Sequence, residues 1–397
     1  MKMISSRSAL ILIVIAQFLG TSLWFAGNAA APEISSILGG NSLIASITSA
    51  VQLGFIIGTF IYALFSIPDR FAPGEVFFFS ALLAAAANIL VVVLPFELPF
   101  ILTCRFLVGF FLAGIYPVGM KIAADYFEKG LGAALGYLVG ALVLGTAFPH
   151  LLKGMGLDIS WKLIFLITSG LAIIGGSVVG FFVPDGPFRK ANPKFDISLL
   201  PRLSKINALK SAASGYFGHM WELYTFWAFV PMIILFLSEG SFTQSTISLI
   251  SFSVIAIGGV SCAVGGFISQ KKGSSKVALV ALVGSGLCCI LLLFAQVLPA
   301  ALWILFLLCW GILVTADSPQ FSTLVSQSVP SEFKGTAMTL VNSMGFGISI
   351  ISIQFGQFLL QYLTIDKVMA LLVIGPMIGI YLFRFFAKKK RPQTEAS

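Results

Sequence analysis

Apolar residues fill this chain in long unbroken runs rather than in the alternations of a soluble fold. Crossing a bilayer as a helix takes about 20 mostly apolar residues. Runs of that kind occupy 9–31, 43–67, 75–95, 98–121, 130–152, 160–183, 211–237, 245–269, 276–296, 299–321, 335–361 and 366–386. They predict twelve membrane spans, numbered 1 to 12 in chain order. No period-two alternation extends over ten-residue segments, so a transmembrane β-barrel is not expected. Met1 to Ala31 imitates a secretory leader, with Lys2 and Arg7 before the apolar run and Ala29-Ala30-Ala31 closing it. The run is too long for a leader and further spans follow at once, so it reads as a retained first helix.

Composition strengthens the membrane reading. Of 397 residues, 58% are hydrophobic and only 10% charged, with a mean hydropathy of +1.01. A soluble domain carries about a quarter of its residues as charges, so a soluble enzyme, a secreted domain and a disordered protein are excluded. Glycine at 39 and phenylalanine at 38 suit closely packed helices facing lipid. The five cysteines (Cys104, Cys262, Cys288, Cys289 and Cys309) all lie in apolar runs, where free thiols pack as small hydrophobes. With two histidines, neither near a cysteine, no metal and no other cofactor is expected.

The net charge of +9 is explained by topology rather than by nucleic acid. With both termini cytoplasmic, the cytoplasmic segments hold 20 of the 24 lysines and arginines, including Lys2, Arg70, Lys121, Lys129, Lys190, Lys194, Lys271, Lys390 and Arg391. The other side holds only Lys153, Lys162 and Lys367, while Arg105 falls within a span. That asymmetry is the positive-inside signature. Together these features predict an all-α integral membrane protein of the cell membrane (a bacterial inner membrane), multi-pass and monomeric. Its expected divisions are a six-helix bundle over 1–183, a cytoplasmic linker over 184–210 and a second six-helix bundle over 211–397.

The two halves carry traces of duplication. Asp69-Arg70 after span 2 corresponds to Gln270-Lys271 after span 8 at an offset of 201. Gly109 and Pro117 in span 4 correspond to Gly311 and Pro319 in span 10 at 202, and Pro32 to Pro231 at 199. Near-equal offsets of half the chain argue for a parallel repeat.

These residues resemble the major facilitator superfamily of transporters across all twelve spans. The family's loop motif after span 2, Gly-x-x-x-Asp-Arg-x-Gly-Arg-Arg, keeps its Asp-Arg in Ser66-Ile67-Pro68-Asp69-Arg70-Phe71-Ala72-Pro73-Gly74 and lacks the basic tail. The second copy, Gly265-Gly266-Phe267-Ile268-Ser269-Gln270-Lys271-Lys272-Gly273, keeps glycines and lysines and replaces the acid by Gln270. Arg105-Phe106-Leu107-Val108-Gly109 matches the family's Arg-x-x-x-Gly pattern in span 4. The resemblance implies two pseudo-symmetric six-helix bundles and secondary transport by alternating access. Asp69, Arg70 and Lys271 are then cytoplasmic gate candidates that tie helix ends together when the carrier is open to the outside.

Polar groups inside the spans are the candidate machinery, because an ionised side chain in the hydrocarbon costs roughly 2.5 kcal/mol or more. Gly215, Gly218, His219, Glu222 and Thr225 share one face of span 7. Glu222, near the midplane, is expected to take up and release a coupling proton, with His219 one turn away sharing it; a satisfied polar pair fixing helix packing and direct contact with a cationic substrate group are the alternatives. Asp317 in span 10 is a further proton candidate or a gate partner for a cytoplasmic lysine or arginine. Arg105 lies about 10 Å inside the outer end of span 4, where it holds an anionic substrate group or pairs with a carboxylate; the resemblance also implies a structural or coupling role for a span 4 arginine. Tyr116 lies on the same stripe. Trp24 and Asn28 share a face with Gln17 and Thr21 in span 1, and Gln52 lies with Ser49 and Thr59 in span 2. Trp221, Tyr224 and Trp227 form either an aromatic belt or a pocket wall. Asn342, Gly345, Ser349 and Ser352 make a stripe in span 11 that suits a cavity lining or a close helix interface. Arg105, Trp24, Asn28, Gln52, Tyr116, Trp221, Tyr224 and Asn342 are therefore the expected substrate contacts.

No Gly-x-x-x-x-Gly-Lys-Ser/Thr loop exists, so nucleotide-driven transport is not expected. No nucleophile–base pair or metal cluster appears at depth, so the chain is not read as an enzyme. Spans 2 and 8 contain no lysine or arginine, against nitrate as substrate. Span 5, with Gly136, Gly140 and Gly145, lacks the Gly-Pro pair of drug/proton antiporters. The expected function is secondary active, proton-coupled transport of a small organic solute. An efflux antiporter for drugs or metabolites, and a membrane sensor that binds ligand without moving it, are the alternatives.

Overall fold

A computed structural model describes residues 4–39, 43–127, 131–156, 159–189 and 195–389. Lys2, Lys129, Lys190, Lys194, Lys390, Arg391 and both chain termini lie outside the described residues. Twelve helices are long and apolar enough to cross a membrane: Ser6–Leu38, Ile44–Leu64, Pro73–Val93, Leu98–Tyr126, Ala134–Gly154, Trp161–Phe182, Asn207–Leu237, Gln244–Lys272, Ser274–Val297, Ala300–Gln327, Lys334–Leu359 and Ile365–Lys388. No strand occurs among the described residues.

The spans differ most from their expected bounds where they bend. Span 1 is helical over Ser6–Thr21 and again over Ala26–Leu38, span 4 over Leu98–Leu112 and Tyr116–Tyr126, and span 10 over Ala300–Ala316 and Ser318–Gln327. The breaks in spans 4 and 10 fall just before Pro117 and Pro319, which lack the backbone N–H that a continuous helix needs. The halves of each bent span run on past the bend, so apolar-run counting stopped span 10 at 321 rather than at Gln327.

The duplication is visible in packing. A side chain at Gly109 would drive into the Val51 carbonyl of span 2, and one at Gly311 into the Val254 carbonyl of span 8. Gly54 and Gly58 meet the span 4 backbone at the Phe106 and Phe110 carbonyls. Small residues here let backbones touch where lipid supplies no hydrophobic driving force between helices. Across the two sets of six spans, the closest pairings are span 5 with span 8 and span 2 with span 11. Gly140 and Gly259 face each other in the first pairing, where an added Cβ on either would lie 3.0 Å from the other's carbonyl.

At the end where spans 6 and 7 are joined, here the linker end, short contacts bind the first six spans together. Lys121 Nζ lies 2.7 Å from Asp69 Oδ1, Tyr126 OH donates to the Pro184 carbonyl at 2.5 Å, and Arg189 Nη2 donates to the Phe71 carbonyl at 3.0 Å. Arg189 also pairs with Asp185. Ser66, which begins the short helix Ile67–Arg70 after span 2, adopts φ 49°, a left-handed conformation that costs any side chain more than glycine.

Candidate functional site

A cavity of about 300 Å³ lies between the two sets of spans. Spans 2, 4, 5, 7, 10 and 11 line it, through Phe55, Thr59, Tyr116, Met120, Leu142, Met220, Tyr224, Trp227, Thr315, Ser318, Asn342 and Phe346 among others. None of its lining residues is charged. Its polar atoms are hydroxyls of threonine, serine and tyrosine, the Trp227 indole and the Asn342 amide. Through Thr59, Pro117, Gly335 and Thr339 it joins a second pocket of about 170 Å³ that reaches Ser66 and Asp69 at the linker end.

The opposite end is closed. Trp24, Phe55, Tyr224 and Phe346 stack across the two halves, with ring centroids 4.9 Å apart for Trp24–Phe55, 6.1 Å for Trp24–Tyr224 and 5.2 Å for Tyr224–Phe346. Phe25 meets Trp227 edge-on at 6.3 Å. Beyond this layer, Ser349 Oγ donates to Gln52 Oε1 at 3.1 Å and Gln354 Nε2 to Ser49 Oγ at 2.9 Å. Ser245 Oγ donates to the Gly154 carbonyl at 2.5 Å. The Trp24–Tyr224, Phe25–Trp227, Gln52–Ser349, Ser49–Gln354 and Gly154–Ser245 contacts join one half to the other, so the molecule is held closed at the far end and reachable from the linker end.

The ionisable residues of span 7 do not face the cavity. Glu222 is fully buried among spans 7, 9 and 10. Its Oε1 accepts from Trp310 Nε1 at 2.7 Å and from Cys289 Sγ at 3.5 Å, and its Oε2 from Ser285 Oγ at 2.8 Å. His219 makes no hydrogen bond to Glu222 among the described residues; its Nδ1 lies 2.8 Å from Asp317 Oδ1. The contact is an ion-pair distance without hydrogen-bond alignment, and both side chains are 0% exposed. Asp317 therefore does not meet a lysine or arginine at a gate; it sits at the bend of span 10, between the cavity-lining Thr315 and Ser318. Tyr216, another cavity residue, has its ring 5.9 Å from that of His219.

Arg105 is likewise fully buried and away from the cavity. Nη1 donates to Asn88 Oδ1 at 2.6 Å, and Nη2 to the carbonyls of Leu23 and Trp24 at 2.7 and 3.1 Å, where the bend of span 1 frees carbonyls from the helix ladder. Asn88 in turn donates to the Phe165 carbonyl at 2.9 Å and to Ser169 Oγ at 2.9 Å. No carboxylate lies within 4.0 Å of the guanidinium among the described residues. In this conformation Arg105 touches protein, not a substrate space.

Of the expected substrate contacts, Tyr116, Tyr224 and Asn342 line the cavity. Trp24 and Gln52 belong to the closing layer above it. Asn28 donates to Thr48 Oγ1 at 2.7 Å inside the first half. Trp221 lies on the far side of span 7, against Gly375 and Phe355. The aromatic trio of span 7 is thus split, with Tyr224 and Trp227 in the pocket and Trp221 outside it. Among the gate candidates, Asp69 pairs with Lys121 of its own half, and Arg70 and Lys271 are exposed. Cys309 faces outward, unlike the four buried cysteines. Sequence reading missed Trp310, Ser285 and Asn88, whose roles depend on which helices meet.

Buried polar groups enclosed in two sets of six spans, around an uncharged cavity open toward one end, define an integral membrane transporter. The sequence matches the Major Facilitator Superfamily model over residues 13–353, and the chain belongs to that family. No curated protein matches it closely. Among solved structures it is similar to a bacterial homologue of the human lysosomal transporter Spinster, described as inward-facing and unoccupied. The TM-score is 0.69 and the identity 14%, covering 98% of this chain and 99% of that one. At that identity the likeness concerns the fold.

Proposed function

We propose that this transporter carries a small, uncharged, partly aromatic organic solute by alternating access, coupled to protons at the His219–Asp317 pair. The observation that carries this reading is the cavity lining, which offers aromatic faces, hydroxyls and one amide but no charge to neutralise an ion. A charged substrate would lose its hydration there without repayment. Tyr116, Tyr224 and Trp227 offer the apolar area and Asn342 the directed hydrogen bonds. Asp317 and His219 lie one layer behind Thr315 and Ser318, near enough for their charge state to bias the bend of span 10. Glu222, whose two oxygens already accept three donors, is assigned to structure rather than to coupling. The two six-helix units, 1–183 and 211–397, rock about the span 5–span 8 and span 2–span 11 contacts, with the 184–210 linker in the cytoplasm. The protein works as a monomer in a bacterial inner membrane.

The test is a melting-temperature screen of the purified protein against matched neutral, anionic and cationic aromatic compounds, since a ligand bound only by the folded form stabilises it. Neutral members raise the midpoint on this account. The best of them is then followed into proteoliposomes under a pH step, where accumulation separates a transporter from a sensor. Stabilisation confined to charged members would overturn the substrate class.

A further inference from the structure

We infer that a groove on the outer face of spans 7, 11 and 12 is a binding site for one anionic phospholipid. Two cavities of about 340 and 330 Å³ share Ser214 and Phe217 and run along span 7 from Lys210 to Trp221. At 1.5 Å per residue that length is about 16 Å, half of a hydrocarbon core of about 30 Å and so the reach of one acyl chain within one leaflet. Serines aside, Lys210 is the only polar side chain of the pair, apart from the Trp221 indole; the rest of the wall is apolar and opens toward lipid at Met344 and Ile378, each 54% exposed.

The rim at the linker end has the opposite character. Lys210 Nζ lies 5.5 Å from the centre of the Phe386 ring, at the mouth of the groove. The flanking stretches 200–210 and 384–389 carry Arg202, Lys205, Lys210, Arg384, Lys388 and Lys389 and no aspartate or glutamate. No carboxylate lies within 4.0 Å of any of these six among the described residues. The short helix Leu200–Leu203 closes the mouth from above. A slot one acyl chain long, ending in a cluster of cations that form no ion pair within 4.0 Å among the described residues, with only Arg202 facing the more distant Asp196, fits a lipid with a negative headgroup. Uncharged annular lipid would use the slot but leave the cations unpaired.

The experiment is native mass spectrometry of the full-length protein with phosphatidylglycerol and phosphatidylcholine of equal chain length, and inorganic phosphate as control. Wild type is expected to retain phosphatidylglycerol in preference, and phosphate alone not at all. Lys210→Gln should lower that retention about fivefold, the worth of one lysine near an anionic surface, leaving phosphatidylcholine unchanged. Ser214→Phe, which fills the waist of the groove, should remove both. If that variant does not fold, quenching of Trp221 by brominated acyl chains, read as the difference from Trp221→Phe, measures occupancy in wild type and Lys210→Gln. Equal retention of the two lipids by wild type would overturn the proposal. So would undiminished phosphatidylglycerol on a folded Ser214→Phe, or two-copy complexes that Ser214→Phe dissolves.

Discussion

The two halves bury opposite charges in corresponding places. In the first, Arg105 reaches from span 4 to Asn88 of span 3 and to the Leu23 carbonyl of span 1. In the second, Glu222 of span 7 is held by Ser285 of span 9 and Trp310 of span 10. Leu23 and Glu222 are separated by 222 − 23 = 199 residues, the same offset as Pro32 and Pro231. Spans 1, 3 and 4 thus surround a buried arginine, and spans 7, 9 and 10 a buried glutamate. In both, donors or acceptors from two neighbouring spans meet the charge, although Arg105 Nε has no hydrogen-bond partner among the described residues. The second half differs in adding His219 and Asp317, a buried pair whose His219 Nε2 and Asp317 Oδ2 have no hydrogen-bond partner among the described residues. On the proposed reading, Arg105 and Glu222, each held by hydrogen bonds from neighbouring spans, are scaffold, and the His219–Asp317 pair beside the cavity is the coupling site.

If the halves are true repeats, their glycine contacts should fail alike. Gly109→Leu and Gly311→Leu each force a side chain into a facing carbonyl, and each should cost roughly 3 kcal/mol or more, read as lost monodisperse protein after extraction. A tolerated Gly311→Leu beside a lethal Gly109→Leu would break the equivalence. Next in size is Arg105→Met, which strands the Asn88 side-chain oxygen and two carbonyls and should destabilise by about 3 kcal/mol. Glu222→Gln keeps an acceptor for Trp310 and should lose only about 1 kcal/mol. Unfolding midpoints of the two variants in the same detergent decide whether the cation or the anion is the more demanding scaffold. The smallest effect is expected at the loops: Asp69→Asn removes the Lys121 pair for about 0.5 kcal/mol, and less at high salt. Gln270→Glu, in the loop whose acid is already absent, should leave the midpoint unchanged.

Span number, span order and the repeat were legible because each depends on local runs and on fixed spacings, as with Gly109–Pro117 and Gly311–Pro319. The bends of spans 4 and 10 were signalled by their prolines, though apolar counting does not register that a bent helix continues. The site was legible only in part. Tyr116 and Asn342 lie on stripes that helical period picks out, and Tyr224 belongs to a trio readable as either a belt or a pocket wall. Periodicity gives a face but not the neighbour it meets, so His219 was matched to Glu222 on its own helix instead of to Asp317 across the bundle. Arg105 reads as needing an anionic substrate group or a carboxylate because its depth in span 4 demands compensation. Its compensation comes from backbone carbonyls freed by the bend of span 1 and from Asn88, neither of which a list of charged residues contains. Trp221 and Trp227, six residues apart, show the same limit: one lines the cavity and the other faces away from it.

The central claim is that protonation at His219–Asp317, and not at Glu222 or near Arg105, shifts the balance between conformations. Spin labels at Met155 and Gln244, on the closed far ends of spans 5 and 8, report that balance by their separation without any substrate. In wild type the long-distance population should change between mildly alkaline and mildly acidic buffer. Asp317→Asn should give one distribution at both, while Glu222→Gln keeps the wild-type response. A full pH response in Asp317→Asn, or its loss in Glu222→Gln alone, would contradict the account.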